Sequence, residues 1–223
     1  VLKLKSGKYV FEEIKKYLNS INKISDDWNS FNFLSKDAST VGSKDLNIIS
    51  SSENENITLT KTLNNEFDVL FLIGQDNLKF KKKNEFIIYI GSHGDIGAES
   101  ADIILPGATY TEQDGYFTNL EGKIQKAYKA SYPPGEAKED WEIINNLSEL
   151  LKRKKIFNNK EELVDSMFNY LNLKTENKKN DLTEATFVDE KILIDNFDYY
   201  FSNVIARASK TMTECHNEKI KLN

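Results

Sequence analysis

Residues 91–99, GSHGDIGAE, space three glycines at Gly91, Gly94 and Gly97 directly behind an apolar run. A glycine-rich turn that hands over to a helix N-terminus holds phosphate groups on backbone amides, so this stretch imitates a phosphate-binding loop. The spacing is not the dinucleotide fingerprint, and ADIILPG begins at once where a long helix would have to follow. Turn and close-packing duties therefore weigh more for these glycines than a phosphate site. His93 and Asp95 are of the types used in acid–base and metal chemistry, but a metal needs three or four convergent ligands, and the other histidine is His216. Their expected role is structural.

Downstream, Glu112, Asp114 and Glu121 cluster around Asp114-Gly115. Paired carboxylates can run general acid–base catalysis, yet no nucleophile or cation stands beside them at a defined spacing. These side chains are expected to hydrogen-bond turn backbone. Gly115 is expected at φ > 0 if TYTEQ and YFTNL are joined tightly at Asp114-Gly115. The single cysteine, Cys215, excludes an internal disulfide, a thiolate zinc site and an iron–sulfur cluster built from this chain alone. It reads as a small buried or interface residue. Lys79 and Lys81 to Lys83 read as a solvated loop.

The elements that must position these residues follow from apolar spacing. Phe11, Ile14, Leu18 and Ile21 predict a helix, and Asp26 offers an N-cap for a second through Trp28, Phe31, Leu34, Ala38 and Val41. Residues 51–65 are polar and uncommitted. FDVLFLI (67–73), EFIIYI (85–90) and ADIIL (101–105) are short apolar runs, as in strands of a parallel sheet covered on both faces. Their connections are short for parallel crossovers, so either the linking helices are stunted or one pair is antiparallel. Ala137, Trp141, Ile144, Leu147 and Leu151 line a helical face ending in the basic run 152–155, which suits a helix C-terminus. Leu163, Val164, Met167 and Leu171 suggest a short helix, and 174–184 a mobile loop.

The fold class is therefore α/β: a short, mostly parallel sheet of Rossmann-like type flanked by helices, with a helical, extended C-terminal tail. Residues 1–50 form a helical segment, 66–135 the α/β core, 136–172 a second helical segment and 173–223 the loop and tail. The chain has 30 Lys+Arg against 35 Asp+Glu, a net charge of −5, with the basic residues scattered. Nucleic acid has no electrostatic footprint to follow. No apolar run approaches the roughly 20 residues of a membrane span. VLKLKSGKY lacks the apolar segment and cleavage site of a signal peptide.

HGDIGAESADIILPGATYTEQDGYFTNLEGKIQ and the following PPGEAKEDWEIINNLSEL resemble the molybdopterin-oxidoreductase superfamily, in the branch formed by the large (75 kDa) iron–sulfur subunits of respiratory complex I. ADIILPG, the TE-x-DG turn and NLEGKIQ are similar to motifs of the whole superfamily. HGDIGA and PPGEAKEDW resemble the complex I branch, as do DWNSFNFLSKDAS near the start and ARASKTMTEC at 206–215. The resemblance spans most of residues 26–215. It departs in three ways: the cysteine-rich, cluster-holding region of the family is absent, Lys123 stands in the place of the Arg of an EGR-x-Q signature, and helices replace the strand-rich cofactor-binding barrel of catalytic members.

What the resemblance implies is a retained frame rather than a working site. No catalytic, cofactor-binding or metal residue is expected, and Gly94, Asp95, Pro106, Gly107, Glu112, Gly115, Asn119, Glu121 and Gly122 are expected to be structural. It implies no cofactor in this chain, with iron–sulfur clusters in an N-terminal partner segment. Its implied partners are that segment and other peripheral-arm subunits, on the matrix side of the mitochondrial inner membrane. A cofactor-binding fragment of an active molybdopterin oxidoreductase is the rival reading, and a free-standing nucleotide-binding domain resting on GSHGDIGAE is a third. A sheet cut from a larger α/β fold is also expected to be aggregation-prone alone.

Overall fold

The computed structural model describes residues 7–25, 27–32, 34–35, 37–48, 52–176, 187–189 and 198–221. The three apolar runs become β1 (Val69–Ile73), β2 (Phe86–Gly91) and β3 (Ile103–Pro106). They pair in parallel in the order β1-β2-β3, with Val69 beside Phe86 and Ile88 beside Ile103. No pair among them is antiparallel, so stunted connections are the outcome. Residues 74–85 carry no helix, and the β2–β3 link holds only the five-residue α4 (Ile96–Ser100).

Both connections cross the same face of the sheet. Leu78 and Phe80 from the first, with Ala98 and Ala101 from the second, pack on Leu72, Ile87 and Tyr89. Crossovers of one hand between strands advancing in one direction must lie on one side. The opposite face is open in part: Val69, Phe71 and Ile73 are 52%, 43% and 48% exposed, and Phe86 and Ile103 each 43%, whereas Ile90, beside Ile73 on the same face, is buried. Among the described residues the expectation of two covered faces is therefore met at Leu72, Ile87 and Tyr89 on one face and at Ile90 on the other, while Ile104 on the first face and the outer strip of the second stay exposed.

Beyond β3 the backbone continues the sheet by one bridge, Gly107 to Lys138. An antiparallel hairpin follows, β4 (Gly115–Thr118) with β5 (Ile124–Ala127). Helices α5 (Asp140–Leu150) and α6 (Lys160–Glu176) succeed it, then α7 (Val204–Ala208) and α8 (Lys210–Lys221). Helix α6 is longer than the spacing suggested, and its last residues, 174–176, lie where a loop was expected; 177–184 lie outside the described residues.

The N-terminal region departs from its pattern more sharply. Helix α1 (Gly7–Ser20) forms as predicted, but the second helix shrinks to α2 (Thr40–Asp45). Ser25 Oγ accepts from Trp28 N at 3.2 Å, Asn29 Oδ1 from Phe31 N at 2.9 Å, and Ile24 bridges Asn29. Such local side-chain bonds compete with helix formation, and the apolar spacing is spent instead on an edge-on contact of Phe31 with Phe11 at 4.6 Å. Asp26, the expected cap, lies outside the described residues. The uncommitted polar stretch forms α3 (Ser52–Leu63), which ends where Asn65 turns to φ 60°. Asn65 then bonds Lys81 O at 2.9 Å and Glu85 Oε1 at 2.7 Å.

Candidate functional site

The carboxyl ends of parallel strands are where α/β sheets place ligands, and here the chain meets itself. Asp95 is the N-cap of α4, accepting from Ile96 N at 2.8 Å, while Gly97 N donates to Asp76 O at 2.8 Å. Arg207 Nε of α7 donates to Asp95 Oδ2 at 2.6 Å. Burial opposes the Asp95 charge, but the bonds from Arg207 and Ile96 N and the Arg207 charge outweigh it and hold the carboxyl below its ordinary range. Beside it the buried Tyr89 hydroxyl donates to Asp76 Oδ1 at 2.6 Å and lies 3.0 Å from His93 O. Burial and the Asp76 hydrogen bond push this phenol well above its usual range.

This geometry explains Gly97. A Cβ there would sit 2.5 Å from Gln75 O, so only glycine lets α4 approach the end of β1. The same geometry does not fit a phosphate-bearing cofactor: the first two amides of α4 are engaged, and its N-terminus faces a carboxylate. His93 bonds its neighbour Ser92 at 3.0 Å, and Gly94 is exposed with open space around it. His216 sits elsewhere, its Nδ1 2.5 Å from Asp198 Oδ2 and its ring stacked on Phe201. Among the described residues no three His, Cys, Asp or Glu side chains converge to hold a metal.

The Pro106-Gly107 stop joins the segment 133–141. Lys138 N donates to Pro106 O at 3.1 Å, and Ala108 N to Lys138 O at 2.9 Å. A Cβ on Gly107 would lie 2.8 Å from Asp140 Oδ1. Burial, with the charge of Glu139, pushes the Asp140 carboxyl up. Glu139 Oε2 takes Trp141 Nε1 at 2.9 Å and Lys160 Nζ at 2.5 Å, and Lys160 also reaches Asp114 O at 3.0 Å. Nothing in the sequence spacing signals this Lys160 bridge, which spans 46 and 21 residues.

The acidic cluster is distributed rather than convergent. Glu112 Oε2 accepts from Thr109 N at 3.0 Å, closing the 109–112 turn. Asp114 Oδ1 accepts from Lys129 N at 2.8 Å, a bond that, with Lys126 and Lys160 nearby, lowers its carboxyl despite opposing desolvation. Glu121 lies in the β4–β5 loop, where Asn119 Oδ1 accepts from Glu121 N and Lys123 N at 3.0 and 2.9 Å. The hairpin is therefore turned at 119–123, not at Asp114-Gly115. Within the hairpin Gly122, at φ 83°, takes the left-handed backbone, whereas Gly115 opens β4 and is not among the positive-φ residues. The Asp114-Gly115 turn signal is overridden because Asp114 spends its side chain on Lys129, across the mouth of the hairpin.

An open groove of about 490 Å³ lies between the hairpin and α6, walled by Leu46, Tyr116, Trp141, Phe157, Met167 and Tyr170. The charged residues on its rim, Asp114, Glu139 and Lys160, are the mutually bonded set just described. It offers apolar contact rather than a reactive group.

Comparison with known proteins places these junctions in a family context. Residues 1–150 match the family model described as molybdopterin oxidoreductase, and residues 166–215 match that described as the C-terminal region of the G subunit of NADH-ubiquinone oxidoreductase. The chain is 35% identical over 227 aligned residues to the NADH-ubiquinone oxidoreductase 75 kDa subunit of Reclinomonas americana, covering 96% of this chain and 32% of the relative. It is 37% identical to the G subunit of NADH-quinone oxidoreductase from Rickettsia bellii, over 96% of this chain and 31% of the relative. For the mitochondrial 78 kDa subunit of Candida albicans the identity is 35%, over 86% and 28%. The chain thus spans about a third of the length of these relatives.

Proposed function

Because the chain belongs to the molybdopterin oxidoreductase family, we propose that it is the C-terminal α/β segment of the large iron–sulfur subunit of respiratory complex I. Its work is architectural: it supports the peripheral arm that passes electrons from NADH to ubiquinone and carries no redox centre of its own. The observation that carries this reading is the Asp95–Arg207 pair. It joins the stretch matching the molybdopterin oxidoreductase model to the stretch matching the C-terminal model of the NADH-ubiquinone oxidoreductase family, and it does so at the strand ends where a ligand would otherwise sit.

In this reading the parallel sheet is one part of a larger Rossmann-like sheet. The partners are the cluster-bearing N-terminal part of the large iron–sulfur polypeptide and other peripheral-arm subunits, on the matrix side of the mitochondrial inner membrane. Consistent with a peripheral position, no helix among the described residues is long and apolar enough to cross a membrane.

The test is purification of the native assembly through a tag on this chain, followed by metal analysis and paramagnetic resonance. The chain should co-migrate with NADH-oxidising, iron–sulfur-containing complex, and the isolated chain should give no paramagnetic signal on reduction. Stoichiometric molybdenum or tungsten would instead favour the rival reading of an active molybdopterin oxidoreductase fragment.

A further inference from the structure

The open face of the sheet has a definite shape and chemistry. Val69, Phe71 and Ile73 of β1 alternate onto it, and the parallel register sets Val69 beside Phe86 and Phe71 beside Ile88, which pairs in turn with Ile103. Ile90, beside Ile73, is already buried, so the open part is the strip of Val69, Phe71, Ile73, Phe86 and Ile103, all large and apolar, and parallel sheets occur almost only with both faces covered. The two crossovers cannot do this, because both lie on the Leu72–Ile87–Tyr89 side. Helices α1 and α3, which precede β1, leave Val69, Phe71 and Ile73 exposed. The outer edge of β1 carries no strand among the described residues.

We infer that this face, with the free edge of β1, is the docking surface for a helix-bearing segment corresponding to the part that precedes this region in its longer relatives. The topology selects it. In a doubly wound sheet the helices of the second face belong to strands added on the far side of the first strand, with the same crossover hand. Such strands would extend the sheet beyond β1 and lay their helices over Val69, Phe71 and Phe86. The occupant follows from the proposed subunit role. The relatives carry about two thirds of their length outside the matched stretch, and residues 166–215 match the C-terminal model, so most of that extra length lies ahead of the match. Its contacting surface must be an apolar helix face, since the strip offers no charge or free side-chain donor.

The experiment places a photo-crosslinking phenylalanine analogue at Phe71, and separately at Ile103, in the chain within its native membranes, with Tyr132 as the control position. After irradiation, crosslinked peptides are identified by mass spectrometry. Peptides from the segment that precedes this region in the relatives, seen from Phe71 and Ile103 and not from Tyr132, are the expected result. Crosslinks from the strip to residues 1–223, to a second copy or to another subunit would overturn the inference, as would none in assembled complex. Phe71→Glu should lower the incorporated fraction about tenfold, the equivalent of roughly 1.4 kcal/mol, while Phe71→Leu leaves it near normal. Co-migration of the chain with the NADH-oxidising complex is scored separately, so a failed subunit assignment is distinguishable from a wrong docking face.

Discussion

Arg207 donates its Nε proton to Asp95 across 112 residues of chain, tying a five-residue helix in the tail to the N-cap of another at the end of β2. Both side chains are mostly removed from solvent, at 20% and 16% exposure, so screening is weak. A hydrogen bond to a charged partner contributes about 2 kcal/mol. Arg207→Met and Asp95→Asn should each destabilise by that order, and the double variant should cost clearly less than the sum. Because the Asp95 carboxyl is held below its ordinary value, its contribution is present above the unfolded value, near 4, and is lost as pH falls through the folded one. Melting of the assembled protein between pH 6 and pH 3 should therefore fall more steeply for the native chain than for Arg207→Met. Equal slopes would remove this pair from the account of the tail.

Asp140 makes the opposite prediction. Its carboxyl is raised by burial and by Glu139, so the folded state favours its proton and the charged form costs stability above the ordinary carboxylate range. Asp140→Asn, nearly isosteric, should raise the melting temperature at pH 7 by a few degrees, and the gain should vanish near pH 4. A loss at pH 7 would mean that the charge serves the first turn of α5 more than burial penalises it.

The strands were legible because continuous apolar runs bounded by Gly and Pro have few alternatives: the runs at 67–73, 85–90 and 101–105 correspond to β1, β2 and β3. Helix α5 was legible from Trp141, Ile144 and Leu147; it ends at Leu150, just ahead of the basic run, whose first residue Lys152 turns to φ 55°. The second N-terminal helix was not, since Ser25 and Asn29 redirect backbone donors in a way that apolar spacing does not register. The site was readable as motifs but not as contacts. Asp95 and ARASK both stood out, yet their pairing, and the Glu139–Lys160–Asp114 set, depend on tertiary closure that no local pattern encodes.

Gly122 and Gly115 separate backbone strain from side-chain crowding. A Cβ on Gly122 would meet nothing within 4 Å, so any cost there comes from φ 83° alone. Gly122→Val should destabilise by about 1–2 kcal/mol, and Gly122→Asn by much less, since Asn tolerates the left-handed region. Gly115→Ala should be milder than Gly122→Val, as its Cβ would meet Phe117 at an ordinary 3.5 Å. Denaturation midpoints rank the three. A Gly115 variant worse than Gly122→Val would restore the tight turn at Asp114-Gly115.

Asn145, buried on α5, holds the exit from that helix. Its Oδ1 accepts from Ile156 N at 2.9 Å and Phe157 N at 3.2 Å, and its Nδ2 donates to Phe157 O. Truncation to alanine removes three bonds and a buried amide, at a cost of about 2–3 kcal/mol. Asn145→Asp should be tolerated less well than its size suggests, because the donor to Phe157 O becomes a repelling carboxylate. Exchange protection of the Ile156 and Phe157 amides reads the effect directly, and unchanged protection in Asn145→Ala would contradict it.

Glu112 decides between architecture and chemistry in the acidic segment. Its carboxylate accepts from Thr109 N, and a glutamine keeps an oxygen able to accept the same bond. An architectural role predicts that Glu112→Gln leaves both the amount of complex and its NADH oxidation per complex near normal. Glu112→Ala leaves the Thr109 amide without that acceptor and should lower abundance by an amount reflecting about 1–2 kcal/mol, again with normal activity per complex. A catalytic carboxylate would reverse this ranking, because glutamine keeps the hydrogen bond but cannot ionise or carry a proton. Native-gel abundance and NADH oxidation normalised to it are the two readings required. Complex that assembles fully with Glu112→Gln yet has lost its turnover would end the architectural account of residues 101–125.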